Sequence, residues 1–177
     1  MATIVFDLDM TIVDSSHRHA SKPDGSIDLA HWFQNATPER IAKDTLLPLS
    51  RAVRTFYAAG NDIVLCTARC MQQADYDWIT RHAEELPHHA LYSREGRFVT
   101  PDSPDWAQSY HGFIGDTAGD GEIKIRQITA HIKARGFRDF QDAGVIIFED
   151  NLKTLDLFKQ NKAIGINATA VNRRMAA

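Results

Sequence analysis

The segment Thr3-Ile4-Val5-Phe6-Asp7-Leu8-Asp9-Met10-Thr11 places two carboxylates one residue apart at the end of an apolar run, with a hydroxyl two positions further on. Ile4-Val5-Phe6 is β-branched and aromatic, the composition of a buried strand. Residues two apart on a continuing strand face the same side, so Asp7 and Asp9 would converge. Burying two acids is costly without compensation, and a hard cation such as Mg²⁺, bound through oxygen, supplies it. Turn-forming aspartates at an ordinary strand end are the plainer explanation of this segment taken alone.

The chemistry that suits these groups is phosphoryl transfer. A carboxylate can attack phosphorus to give an aspartyl-phosphate, which makes Asp7 the candidate nucleophile. Asp9 can protonate the departing alcohol and then activate water. Asp7, a backbone carbonyl near Asp9, and Asp150 would hold Mg²⁺, with Glu149 behind a metal-bound water. Thr67 offers a hydroxyl to a phosphoryl oxygen and Lys124 a fixed positive charge. Taken singly, each has a simpler explanation: Thr67 ends a strand, Lys124 is a solvated helix residue, and Glu149-Asp150 cap the following helix. Their joint placement is what those explanations leave unaccounted for.

That placement follows from the elements. Apolar runs at Ile4-Val5-Phe6, Ile63-Val64-Leu65-Cys66, Ala90-Leu91-Tyr92, Val145-Ile146-Ile147-Phe148 and Ala163-Ile164-Gly165-Ile166 read as strands. Helices are expected from Asp28 as a cap with Leu29, Trp32 and Phe33 as its apolar face, from Thr37-Pro38, and over 48–59 up to Gly60. Further helices are expected over 71–85, over 122–135, and after Asn151. Asp14 to Gly25 is polar and turn-rich, Glu95 to Gly121 is the least regular region, and the residues after Ile166, through Arg173-Arg174, read as a loose tail. Continuous apolar strands alternating with helices imply a parallel sheet covered on both faces. Ligands bind such sheets at the carboxyl ends of the strands. Asp7, Asp9, Thr67, Arg69, Arg94, Glu149 and Asp150 all occupy those ends.

With 177 residues the chain is expected to form one domain over 1–177, with a small flap at 13–43 after the first strand and a loop-rich insertion at 95–121. A formal charge of −3 argues against non-specific wrapping of long nucleic acid. No membrane-length apolar stretch or secretory leader is apparent, so a cytoplasmic location is expected. Cys66 and Cys70 read as reduced and structural, and the eight histidines as scattered, solvated side chains.

The motif set resembles the haloacid dehalogenase-like superfamily of phosphatases. Asp7-Leu8-Asp9-Met10-Thr11 matches its first motif, Val64-Leu65-Cys66-Thr67 the second, Lys124 the third and Phe148-Glu149-Asp150-Asn151 the fourth. The resemblance implies an α/β, Rossmann-like three-layer sandwich with a mostly parallel central sheet and a minimal cap, Mg²⁺ dependence and an aspartyl-phosphate. Thr67-Ala68-Arg69 and Tyr92-Ser93-Arg94, the latter before Asp120 and Lys124, are similar to the phosphatase domain of polynucleotide kinases. Thr11, Arg69 and Arg94 are accordingly taken as substrate-binding, since each arginine can grip a phosphate bidentately.

The expected activity is a Mg²⁺-dependent phosphomonoesterase, a nucleotidase or a polynucleotide 3′-phosphatase, whose partner is a phosphorylated small molecule or nucleic-acid end. Trp32, Phe33, His17 and Arg18 of the flap, and Phe98, Trp106, Tyr110 and Phe113 of the insertion, could line its mouth and stack on a base. Packing on the core accounts for the same aromatics. Competing readings are a sugar-phosphate phosphatase, a non-catalytic phosphate-binding module, and, more weakly, a glycosyltransferase-type metal motif.

Overall fold

The computed structural model describes residues 1–23, 27–99, 101–110 and 112–177, the side chain of Leu29 excepted. Gly25, where the turn-rich stretch was expected to end, and the Leu29 side chain thus lie outside the described residues.

Five strands form the central sheet: β1 (Thr3–Phe6), β4 (Asp62–Cys66), β5 (Ala90–Tyr92), β8 (Ile146–Glu149) and β9 (Ile164–Asn167), in the order β5-β4-β1-β8-β9. Every neighbouring pair is parallel, with Phe6 level with Leu65 on one side and Phe148 on the other. Each lies within one residue of its expected position. Two short antiparallel pairs stand apart from this sheet: β2 (Val13–Asp14) with β3 (Thr45–Leu46), and β6 (Gly96–Phe98) with β7 (Phe113–Gly115).

Alternation along the strands divides the core into two layers. Ile4, Phe6, Ile63, Leu65 and Phe148 point to one face. There they meet α2 (Pro38–Ile41), α3 (Ser50–Ala58), α4 (Gln73–Arg81) and α7 (Ala168–Ala176) through Ile41, Val53, Trp78, Ile79 and Ala168. Val5, Val64, Cys66 and Ile147 point to the other. They pack on α5 (Asp120–Ala134) and α6 (Leu152–Gln160) through Ile128, Ile132, Leu155 and Phe158. The result is the expected three-layer α/β sandwich.

Local chemistry fixes the helix ends. Asp28 caps α1 (Leu29–Asn35) by accepting from the His31 N–H, and Asn151 caps α6 by accepting from the N–H groups of Lys153 and Thr154. Gly60, with φ +77°, terminates the turn after α3. α4 is shorter than the 71–85 expected: Asp75 Oδ2 accepts from the Gln72 N–H at 2.8 Å where the helix starts at Gln73, and the helix ends at Arg81. α5 begins at Asp120, two residues earlier than expected. A Cβ on Gly121 would lie 2.5 Å from Leu157 Cδ1, so glycine lets the start of α5 press closely on α6 without moving that side chain.

One expectation is corrected. The residues after Ile166 are a helix, α7, rather than a loose tail. Asn167 caps it, Ala168 and Val171 join the core, and buried Asn172 accepts from the Leu49 N–H at 2.8 Å and donates to the Thr11 carbonyl at 2.8 Å. The region Glu95–Gly121 carries the β6–β7 hairpin and a 3₁₀ turn at Trp106–Gln108. Among the described residues no helix is long and apolar enough to cross a membrane.

Candidate functional site

The carboxyl ends of β1, β4 and β8 open into one cavity of about 510 Å³. Beyond β1 the chain folds back on itself: the Leu8 carbonyl accepts from the N–H groups of Thr11, Ile12 and Val13. Met10, in the left-handed region at φ +57°, makes that reversal possible. Asp7 thus precedes this tight loop and Asp9 lies within it.

Asp7 is buried, with its backbone N–H donating to the Phe148 carbonyl of β8 at 3.0 Å. Lys124, carried in by α5, donates its Nζ to Asp7 Oδ1 at 2.7 Å and to Glu149 Oε2 at 2.6 Å. The Thr11 hydroxyl donates to Asp7 Oδ2 at 3.2 Å. Thr11 itself is fully buried and does not line the cavity.

Oxygen atoms of Asp7, Glu149 and Asp150 lie within 4.8 Å of one another. Burial, with Glu149 adding to it, raises Asp7 to about 7 against the opposing pull of Lys124. Burial and then Asp7 raise Asp150 to about 6, and burial likewise raises Glu149. Burial works against the Lys124 ammonium as well, but Asp7 and Glu149 outweigh it and keep that charge above the ordinary lysine range. Three carboxylates around one ammonium leave an excess of negative charge in a poorly solvated place. An all-oxygen donor set with that excess fits a hard divalent cation such as Mg²⁺.

Asp9 stands apart from that cluster. Ser15 Oγ donates to its Oδ1 at 2.7 Å, Arg69 Nε lies 3.0 Å from Oδ2, and Arg18 Nη2 lies 3.9 Å from Oδ1. Burial opposes the charge of Asp9, but Arg69, Ser15 and Arg18 together hold its carboxyl below the usual range. Arg69 also donates to Asp75 Oδ1 at 2.6 Å. Arg18 forks onto Asp44 at 3.0 and 2.5 Å and lies 4.5 Å over the Trp32 ring. The Trp78 indole N–H donates to the Asp44 carbonyl, so this buried ionic network ties Arg18 and Asp44 to α4.

Thr67, at the end of β4, lines the cavity, and its hydroxyl oxygen accepts from the Arg69 N–H at 3.1 Å. Arg94 also lines the cavity, yet its guanidinium is committed: it donates to the carbonyls of Ala68, Asp116 and Ala118 and to Asp120 Oδ1. That set of bonds fastens the 116–120 loop to the ends of β4 and β5.

The structure therefore brings together Asp7, Asp9, Thr67, Arg69, Arg94, Lys124, Glu149 and Asp150 around one cavity, with Thr11 behind Asp7. Sequence reasoning missed Ser15, Asp44 and Asp75. Of these only Asp75 carried a local signal, as the acid three residues beyond Gln72 at a helix start. Asp44 and Ser15 reach the network through tertiary contact alone.

Comparison with known proteins adds three findings. Residues 1–96, more than half of the chain, match the family model described as bacteriophage T5 5′-deoxynucleotidase. That match contains Asp7, Asp9, Thr67, Arg69 and Arg94, while Lys124, Glu149 and Asp150 lie beyond it. A curated protein, the 5′-deoxynucleotidase of Escherichia phage T5, is 35% identical over 82 residues, covering 44% of this chain and 34% of its own length. The chain thus spans about a third of that relative. Among solved structures, a chain of the Pnkp1/Rnl/Hen1 complex superposes with a TM-score of 0.58 at 15% identity, over 94% of this chain and 45% of that one. At that identity the likeness is one of fold.

Proposed function

Because the chain belongs to the bacteriophage T5 5′-deoxynucleotidase family, we propose that it is a phosphomonoesterase of the haloacid dehalogenase type that hydrolyses deoxynucleoside 5′-monophosphates through an aspartyl-phosphate. The observation that carries this reading is the buried Asp7 carboxylate, held by Lys124 beside Glu149 and Asp150 on a cavity wall. We read residues 1–177 as one catalytic domain in which 13–43 is the flap and 95–121 an added loop.

An Asp7 carboxylate oxygen forms the new bond to phosphorus while the bond from phosphorus to the 5′-oxygen breaks. Thr11 and Lys124 fix the orientation of that carboxylate. Thr67 donates its hydroxyl to a phosphoryl oxygen, and Lys124 balances charge on the transferring group. Asp9 gives a proton to the leaving 5′-oxygen and later takes one from the water that attacks phosphorus, which breaks the bond to Asp7 and releases phosphate. Arg69 and Ser15 hold Asp9 as the anion, the state that the water step needs. The proton that Asp9 passes on comes to it from the substrate in its monoanionic form, whose second ionisation lies near neutrality, and the proton it takes from water departs with the released phosphate. Asp7, Asp150 and, from behind, Glu149 would hold Mg²⁺, which screens the repulsion between carboxylate and phosphate.

The family description favours 5′-mononucleotides over 3′-phosphate ends or sugar phosphates as substrates. A panel of 5′- and 3′-deoxynucleotides, 3′-phosphorylated oligonucleotides and sugar phosphates, assayed for phosphate release with Mg²⁺, tests it. The highest kcat/KM is expected for the 5′-deoxynucleotides, and a preference for sugar phosphates would overturn the assignment.

A further inference from the structure

The cavity has a second character besides its carboxylates. Part of its wall is apolar and comes from two segments distant in sequence: Ile27, Trp32 and Phe33 from one, Tyr110 and Phe113 from the other. The segments meet through Phe33, whose ring lies 5.4 Å from Phe98, edge to face, and 6.1 Å from Phe113, nearly parallel. Trp32 and Phe113 are buried in this junction, but Ile27 and Tyr110 are 45% and 54% exposed while lining a concave site. The Tyr110 backbone is fixed by reciprocal bonds with Phe113 at 2.8 and 3.0 Å. Partly exposed large side chains on the wall of a cleft suit the part of a ligand that water solvates poorly.

Two polar neighbours on this wall, Arg94 and Asp116, are already engaged within the protein. Arg94 is spent on three carbonyls and Asp120, and the Asp116 carboxylate is taken by Arg126 and the Ala118 N–H. Aromatic stacking, by contrast, accepts any base, because every base has a π face.

We propose that Tyr110 and Ile27 hold the nucleobase of a substrate whose phosphate lies on the Asp7–Lys124 side of the same cavity, and that they do so without selecting among bases. This rests on the phosphatase reading above. A cavity of about 510 Å³ suits a single small ligand. The wall therefore contributes affinity for a nucleotide over the bare sugar phosphate.

The test is the ratio of kcat/KM for a deoxynucleoside 5′-monophosphate to that for deoxyribose 5-phosphate, a ratio in which general losses of folding cancel. In the unmodified chain it should favour the nucleotide and vary by less than about tenfold among the four bases. Tyr110→Ala should lower it about fivefold or more, the size of a single stacking contact, Ile27→Ala should lower it through lost apolar contact, and Tyr110→Phe should retain it. An unchanged ratio in both alanine variants, or a hundredfold preference for one base, would overturn the proposal. Calorimetric titration of Asp7→Asn with the nucleotide separates this inference from the activity. If the chain hydrolyses nothing, the phosphatase reading falls, yet binding that Tyr110→Ala weakens still upholds the wall; binding that Tyr110→Ala leaves intact, or no binding, removes it.

Discussion

Lys124 Nζ lies 2.7 Å from Asp7 Oδ1 although the two residues are 117 positions apart. The contact joins the start of α5 to the end of β1, and the same ammonium reaches Glu149 at 2.6 Å. One buried cation thus stands between two buried carboxylates. Lys124→Met would leave both without their partner, and removing one member of a buried ion pair costs about 3–5 kcal/mol. Urea unfolding should show a loss of that size in stability. A midpoint equal to that of the unmodified chain would mean the cluster is solvated.

The excess negative charge of Asp7, Glu149 and Asp150 gives a metal-binding prediction that does not depend on turnover. A divalent ion held by this cluster would bind the folded state only, so Mg²⁺ at a hundredfold excess over its Kd is expected to stabilise the chain by about 2.7 kcal/mol. Thermal melts with Mg²⁺, then with added EDTA, read this gain and its loss. Asp150→Asn should abolish the metal-dependent shift while remaining folded. A shift that survives this substitution would place the ion elsewhere.

Asn172 links α7 to the start of α3 through the Leu49 N–H and to the loop that follows β1 through the Thr11 carbonyl. Asn172→Ala leaves a buried N–H and a buried carbonyl unpaired, at a cost of about 1–3 kcal/mol. Chemical denaturation should register it. Stability unchanged by Asn172→Ala would return the last residues to the status of a free tail.

What the sequence conveyed and what it withheld have physical causes. The five sheet strands were legible because each is a short apolar run bounded by polar or turn residues, and their parallel pairing followed from the helices between them. Asp7, Asp9, Thr67, Glu149 and Asp150 were legible because strand ends in such a sheet gather at one edge. α7 was missed because Ala, Asn and Arg carry a weak apolar pattern; its evidence was Asn167 as a cap before Ala168 and Val171. The β6–β7 hairpin was missed because its strands are three residues long and separated by a long polar stretch. The commitment of Arg94 to carbonyls of a distant loop, and of Arg18 to Asp44, had no sequence signature at all. Such bonds depend on tertiary approach alone.

Cys66 supplies a prediction in pH. Burial raises its thiol to about 12, so at pH 8 the thiolate is about one part in ten thousand. Iodoacetamide should therefore leave Cys66 unmodified in the folded chain at pH 8 and label it readily in urea, where the thiol regains its ordinary acidity. Peptide mass mapping distinguishes the two states. Rapid labelling of Cys66 under native conditions would show that the β4 end is open to solvent.

The account turns on Asp7 carrying the phosphoryl group. Rapid quenching during turnover of a deoxynucleoside 5′-monophosphate with Mg²⁺, followed by borohydride reduction, converts an aspartyl-phosphate to homoserine, and peptide mass spectrometry then locates the altered residue. Homoserine is expected at position 7 in the active chain and none in Asp7→Asn. Homoserine at another aspartate, or sustained hydrolysis by Asp7→Asn, would contradict it.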